Sequence, residues 1–192
     1  MSLNLIDKYY NKLQMIKQFG GSPNELSIRE AFKELLGHYA NKNNLMLISE
    51  LRVKGTKGEM VQPDGTLKNA LRLDYGYWES KDSKDDIDTE INNKIRKGYP
   101  LTNILFEDTK EAVLIQHGEP THRIKITDRE KLNEILNAFV FYEHPEITEF
   151  HKALEQFKTD LPHIIEALRE LLEKEGKENS NYIKAKEEFL EN

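Results

Sequence analysis

Residues 63–81 decide the fold of this chain, and they read PDGTLKNALRLDYGYWESK. The first three residues, Pro-Asp-Gly, combine residue types that favour a turn. From residue 71 to residue 78, Leu, Leu, Tyr and Tyr alternate with Arg, Asp, Gly and Trp, which is the period of a β-strand. The stretch therefore predicts a turn followed by a strand that continues through Glu79 to Lys81.

Two helices are predicted before this stretch. Apolar side chains of residues 5–18 fall on one helical face, and a glycine pair ends that helix. A second helix begins at Ser22, because Pro23 suits the first helical position and Glu25 completes a capping box. Residues 45–53 are apolar and β-prone, so they predict a strand between the helices and the turn.

The elements after the stretch complete an α/β pattern. A helix is predicted over residues 85–97, with acids at its start and bases at its end, as the helix dipole favours. Strands are predicted over residues 103–107 and 112–117, with a third over 124–126, and a helix over 128–141. This order of helices and strands predicts an α/β fold with a mixed central sheet.

The last fifty residues predict a separate helical extension. An apolar stripe runs over residues 147–172, and Pro162 predicts a break or a new helix start within it. A polar break and a short helix over residues 181–190 follow. We therefore expect a first domain over residues 1–145 and a helical extension, or coupling arm, over residues 146–192.

The composition excludes several classes of protein. The chain has 192 residues and a net charge of −6, which argues against a general nucleic-acid coat but allows a local basic surface. The absence of cysteine excludes disulfides, thiolate zinc sites and cysteine nucleophiles. No apolar run approaches a membrane span, and the N-terminus lacks the form of a signal peptide. We therefore expect a cytoplasmic protein without a membrane partner.

One group of residues has the chemistry for hydrolysing a phosphodiester. Glu79 and Lys81 lie two residues apart on a strand, so both face the same side, and the turn can bring Asp64 alongside them. A hard cation such as Mg²⁺ needs one or two carboxylates and lowers the pKa of a bound water. The Ser80 carbonyl is a further oxygen ligand, and the Lys81 ammonium group can orient the water.

The same residues carry a resemblance to a known family. Pro-Asp followed by Glu-x-Lys behind a leading helix resembles the PD-(D/E)xK nuclease superfamily. The surrounding sequence resembles the Mrr-like nuclease module at the N-terminus of single-chain restriction-modification enzymes, type ISP and related type IIG, over roughly residues 20–170. The segments that carry this resemblance are GYWESKD (76–82), DDID (85–88), GYP (98–100) and NILFED (103–108).

The resemblance implies a restriction-endonuclease-like core that cleaves double-stranded DNA. It implies that Asp64 and Glu79 hold Mg²⁺, with Mn²⁺ as a substitute, and that Lys81 assists the attacking water. Glu25 occupies the place of a further acid on the first core helix. In this family an adenine-specific DNA methyltransferase follows, sometimes after a helicase motor. Because this sequence has no methyltransferase motif and no Walker A motif, we expect it to be one module of a longer protein.

Three residues stay open as site candidates. Asp74 is the alternative first acid: on a regular strand it points away from Glu79, and a bulge at Gly76 would reverse this. Glu25 is explained equally well by the capping box. Gln116 ends a strand that can lie beside the site. A non-catalytic DNA-binding or docking module is the alternative to an enzyme, and a metal titration distinguishes the two.

Overall fold

A computed structural model describes residues 3–20, 25–81, 86–143 and 145–190. The chain divides into two compact units, Met1–Tyr142 and Glu143–Asn192. The predicted boundary after residue 145, and the role of residues 146–192 as a coupling arm, stay predictions.

The described residues of the first unit form eight strands. In chain order they are β1 (Met46–Ser49), β2 (Val53–Lys54), β3 (Met60–Val61), β4 (Gly65–Lys68), β5 (Asp74–Ser80), β6 (Asn103–Glu107), β7 (Glu111–Gln116) and β8 (Glu119–Lys125). Six of them form one sheet in the order β1-β4-β5-β6-β7-β8, and β2 and β3 form a separate two-stranded ribbon. β5 and β6 run parallel, whereas the other neighbouring pairs of the large sheet run antiparallel. The predicted mixed central sheet is therefore confirmed.

Helices pack on both faces of this sheet. They are α1 (Leu3–Gly20), α2 (Glu25–Lys42), α3 (Ile87–Arg96) and α4 (Arg129–Val140). The hydrophobic layer of α1, α2 and α4 includes Trp78 and Leu105, whereas the layer of α3 and the ribbon includes Tyr77 and Phe106. Neighbouring residues of one strand thus enter opposite layers, and the central strands are buried on both faces.

The strand that carries Glu79 begins later than predicted. β5 starts at Asp74, whereas Leu71 is 78% exposed and Arg72 has a φ of 63°. The Arg72 amide donates to the Asn69 carbonyl at 2.9 Å, so residues 69–73 form the turn between β4 and β5. Alternation of residue types over residues 71–73 did not reveal this turn, because its leucines alternate as strand residues do.

The single strand predicted over residues 45–53 was also wrong. β1 ends at Ser49, and Glu50 has a φ of 52°, a conformation that interrupts an extended strand. The chain then enters the β2–β3 ribbon at Val53. The positive φ of Glu50 carries no signature in the residue type, so the pattern alone could not reveal it.

Two helices, α5 (Pro145–Glu178) and α6 (Ser180–Leu190), form the second unit. Pro162 lies inside α5, so the predicted break there was wrong: a proline removes one backbone hydrogen bond, and the neighbouring turns keep theirs. The Asn179 side chain accepts from the amides of Asn181 and Tyr182, both at 3.2 Å, and thus starts α6. No helix within the described ranges combines the length and apolar character needed to cross a bilayer.

Candidate active site

The turn before β4 brings Asp64 beside Glu79. β4 and β5 pair antiparallel with Gly65 opposite Trp78, so the residue before Gly65 lies next to the residue after Trp78. A Cβ atom on Gly65 would approach the Trp78 ring to 2.9 Å and the Leu47 side chain to 2.7 Å. Glycine at this position therefore allows the close approach of the two strands that unites the acids.

Two groups fix the Asp64 carboxylate. Arg29 of α2 donates to its Oδ1 at 2.6 Å, and the Ser80 backbone amide donates to its Oδ2 at 2.8 Å. Arg29 also lies 3.8 Å from the Glu50 carboxylate. No sequence pattern distinguishes Arg29, although it lies one helical turn after Glu25 and faces the same side of α2.

Glu79 is a buried carboxylate, 1% exposed, with one oxygen paired and one without a partner. Lys94 of α3 donates to Oε2 at 2.5 Å, whereas Oε1 has no hydrogen-bond partner among the described residues. Burial and the nearby charge of Asp64 raise the pKa of Glu79, and Lys94 and Lys81 oppose that rise. Glu79 is therefore a carboxylate whose negative charge is only partly compensated.

Lys81 directly follows β5, which ends one residue earlier than predicted, and its side chain contacts a different acid. Its Nζ lies 2.8 Å from the Glu90 carboxylate of α3, and this pair lowers the pKa of Glu90. Its backbone amide donates to the Glu107 carbonyl at 2.7 Å. The ammonium group is close enough to Glu79 to lower the pKa of that carboxyl. The lysine that bonds directly to Glu79 is Lys94, one of the bases whose place in the last turn of α3 is also favoured by the helix dipole.

Glu107 is a second buried acid beside the site. It lies opposite Ser80 in the parallel β5–β6 register, is 1% exposed, and accepts from the Thr109 amide at 3.1 Å. Burial raises the pKa of Glu107 to about 7, and a hydrogen bond from the Ser80 side chain opposes that rise. Its Oε1 has no hydrogen-bond partner among the described residues. The only signal for it in the sequence was an acid at the end of a predicted strand.

Asp74 and Gln116 lie away from these acids. Asp74 begins β5, five residues before Glu79, which corresponds to about 16 Å along a strand. The β4–β5 register does shift near Gly76, but Asp74 pairs with Lys68. Gln116 donates to the Asn103 side chain at 3.1 Å, at the end of β6 opposite to Glu107. The structure does not bring either residue to Asp64.

Glu25 lies at the edge of the site rather than within it. It is exposed and is the first residue of α2. Its neighbour one turn later, Arg29, is the residue of α2 that bonds to Asp64. The capping partner proposed for it, Ser22, lies outside the described residues.

The oxygen atoms at the end of β5 suit a hard cation. Mg²⁺ takes oxygen ligands and commonly binds through one or two carboxylates together with waters. Asp64 and Glu79 supply two carboxylates, and a cation between them would relieve the repulsion that raises the pKa of Glu79. The unpartnered Glu79 Oε1 offers a further reason for a ligand there. Within the described ranges, no group of three or more acids or histidines could form a larger metal cluster.

The chain is similar to part of one solved structure. It aligns with a chain in a cryo-EM structure of a DrdV–DNA complex with a TM-score of 0.79 and 43% sequence identity. The alignment covers 92% of this chain but only 17% of the other, so this chain spans a small part of the protein it resembles. No family model and no curated protein matches the sequence. Together with the six-stranded mixed sheet between helices, this likeness confirms the predicted restriction-endonuclease-like fold.

Proposed function

We propose that this chain is a metal-dependent endonuclease module that hydrolyses phosphodiesters of double-stranded DNA, with Mg²⁺ as cofactor and Mn²⁺ as a substitute. The observation that carries the proposal is the carboxylate pair formed by Asp64, just before β4, and buried Glu79, near the end of β5, which the β4–β5 register places side by side. The similarity to a chain of a DNA complex supports DNA as the ligand.

In this proposal Asp64 and Glu79 hold the cation, and the Ser80 carbonyl adds a third oxygen. Bound Mg²⁺ supplies a water of lowered pKa and neutralises charge on the phosphate. Lys81 is close enough to Glu79 to lower the pKa of that carboxyl, and in the proposal its ammonium group orients the attacking water.

In the proposal Arg29 and Lys94 contact the phosphate groups of the DNA. Each now neutralises one of the two acids, at 2.6 Å from Asp64 and 2.5 Å from Glu79 respectively. Once a cation compensates the acids, the guanidinium and ammonium groups can contact phosphate oxygens instead.

We further propose that the chain is part of a longer restriction-modification protein with an adenine-specific DNA methyltransferase and, in some forms, a helicase motor. The chain spans 17% of the similar solved chain, which is compatible with several further domains. Because the net charge is −6, most of the affinity for DNA would come from those domains.

Two measurements test the metal-dependent activity. Isothermal titration calorimetry with Mg²⁺ should show binding to the wild type and to Lys81→Ala, and none to Asp64→Asn. Nicking of supercoiled plasmid should be lost in Lys81→Ala and kept in Lys125→Ala, which removes an exposed lysine of β8. Full cleavage by Lys81→Ala would refute its role, and Mg²⁺ binding by Asp64→Asn equal to wild type would refute the metal assignment.

A non-catalytic DNA-binding or docking module is the second candidate. The observation in its favour is that Arg29 and Lys94 already pair with both acids, as in a structural ion-pair network. The same calorimetry decides between the two, because a chain that binds duplex without any Mg²⁺ binding at Asp64 and Glu79 supports the second candidate.

A further inference from the structure

Basic side chains in the first unit differ in whether an acid neutralises them. Many form ion pairs, and these include the pairs Lys12–Glu34, Arg29–Asp64, Lys81–Glu90, Lys94–Glu79 and Arg129–Asp7. Five exposed bases, which lie beside or within the β2–β3 ribbon and at the C-terminal end of α3, form no ion pair with an acid of the described ranges: Arg52, Lys54, Lys57, Arg96 and Lys97. We call these five residues the cationic surface.

Hydrogen bonds join the β2–β3 ribbon to the C-terminal end of α3, the two parts of the chain that carry the cationic surface. The Thr56 amide of the β2–β3 ribbon donates to the Gly98 carbonyl at 2.8 Å, and Lys57 Nζ donates to the Arg96 carbonyl at 2.7 Å. A Cβ atom on Gly55 would lie 2.6 Å from that Gly98 carbonyl. The ribbon therefore lies directly against the C-terminal end of α3, and its charges and those of α3 form one surface.

A chain of contacts joins this surface to the candidate active site. Lys94 bonds to Glu79 and also donates to the Tyr99 hydroxyl at 3.1 Å. The Tyr99 hydroxyl donates to the Gln62 carbonyl at 3.0 Å, two residues before Asp64. Gln62 and Tyr99 line one shallow depression together with three members of the cationic surface, Lys57, Arg96 and Lys97, and with one acid, Glu59, which lowers the net positive charge there. The cationic surface therefore lies next to Asp64 and Glu79.

The helix dipole explains only part of this surface. Bases at a helix C-terminus are favourable, which accounts for Arg96 and Lys97 at the end of α3. The same helix end accounts for Lys57, whose Nζ donates to the Arg96 carbonyl, whereas no helix end accounts for Arg52 and Lys54 beside and within β2. Uncompensated like charges repel one another, and a polyanion that lies across them relieves this repulsion.

We propose that the cationic surface binds the sugar-phosphate backbone of duplex DNA beside the bond to be cleaved. A duplex presents about one negative charge per 1.7 Å of its axis. When one phosphodiester lies at Asp64 and Glu79, the neighbouring phosphates can therefore pair with the basic side chains of the cationic surface. This inference rests on the proposed function, since it names the surface that presents the substrate to Asp64 and Glu79.

The test compares two charge-reversal variants of the 192-residue chain. Lys54→Glu/Lys97→Glu reverses two members of the cationic surface. Lys125→Glu/Lys131→Glu makes the same charge change at exposed lysines of β8 and α4. Binding of a short fluorescein-labelled duplex is measured by anisotropy in EDTA, over a series of salt concentrations, so that no hydrolysis contributes. Circular dichroism melting of each variant shows that it is folded.

We expect the first variant to bind roughly tenfold more weakly than the control variant at low salt. A plot of the logarithm of the binding constant against the logarithm of the salt concentration has a negative slope. For the neutral variant Lys54→Gln/Lys97→Gln this slope should be shallower than that of wild type by about 2. Equal binding by both charge-reversal variants, including no measurable binding by either, would overturn the inference. Plasmid nicking in Mg²⁺ is measured in parallel. If the wild-type chain does not nick plasmid, the proposed function is refuted, whereas the comparison of DNA binding between the variants still stands.

Discussion

β5 carries an ion pair between an acid and a lysine at each end, and the two pairs differ in their surroundings. At its start Asp74 pairs with Lys68, and these side chains are 33% and 23% exposed. At its end Glu79 pairs with Lys94, and these side chains are 1% and 13% exposed. Water can satisfy the first pair, whereas the second leaves a carboxylate oxygen buried without a partner. Burial next to a second acid therefore distinguishes the candidate metal ligand from an ordinary strand acid.

The strongest test of this difference compares the two acids in an activity assay. Glu79→Gln should reduce Mg²⁺-dependent nicking by roughly 10²–10³-fold or more, because it removes a charge that holds the cation. Asp74→Asn is the matched control, and it should keep activity close to that of the wild type. Single-turnover nicking rates measure both. A comparable loss in both variants would contradict the separation between the two ends of β5.

The next test compares stability when the lysine of the buried pair is removed. Lys94→Met should lower the free energy of unfolding by about 3 kcal/mol at neutral pH, because it leaves Glu79 buried and unpaired. The loss should be smaller at mildly acidic pH than at neutral pH, because burial and the charge of Asp64 raise the pKa of Glu79 and so favour the neutral carboxyl. Urea denaturation at both pH values measures the effect, and an equal loss at both would contradict it.

Glu107 provides a pH-dependent test of burial at the same end of β5. Its pKa is raised from 4.5 to about 7, so between these values the folded chain binds a proton that the unfolded chain does not. The folded state therefore loses stability as pH rises through this window, by about 3 kcal/mol in total. Glu107→Gln removes this dependence, so its stability relative to wild type should increase from about pH 5 to about pH 8.

Urea denaturation across this range measures the stability difference between Glu107→Gln and wild type. The matched control is Glu119→Gln, which removes an acid at an exposed position of β8, and the change with pH should be larger for Glu107→Gln than for this control. A change for Glu107→Gln no larger than that of the control would contradict the prediction.

The smallest expected effect concerns the exposed pair. Lys68→Met should change the free energy of unfolding by at most about 1 kcal/mol, because solvent replaces the lost partner of Asp74. Urea denaturation of this variant beside Lys94→Met gives the comparison directly. A loss as large as that of Lys94→Met would show that exposure does not separate the two pairs.

Local sequence patterns predicted most of the elements in the first unit. The helix predicted over residues 85–97 is present as α3, because Asp86 caps its start and Gly98 follows its end with a φ of 79°. The strands over residues 103–107 and 112–117 are present because their apolar residues fill both faces of a central sheet. The predictions failed at Glu50 and Arg72, whose positive φ values depend on how the chain turns between strands.

The sequence by itself determined the α/β class and the placement of Glu79 on a central strand, since both follow from periodicity. Only the tertiary structure decided which groups surround Glu79. Lys94, Arg29 and Glu107 reach the site from two helices and a parallel strand. The physical reason is that charge compensation and burial depend on distances between segments far apart in the chain, which no local pattern encodes.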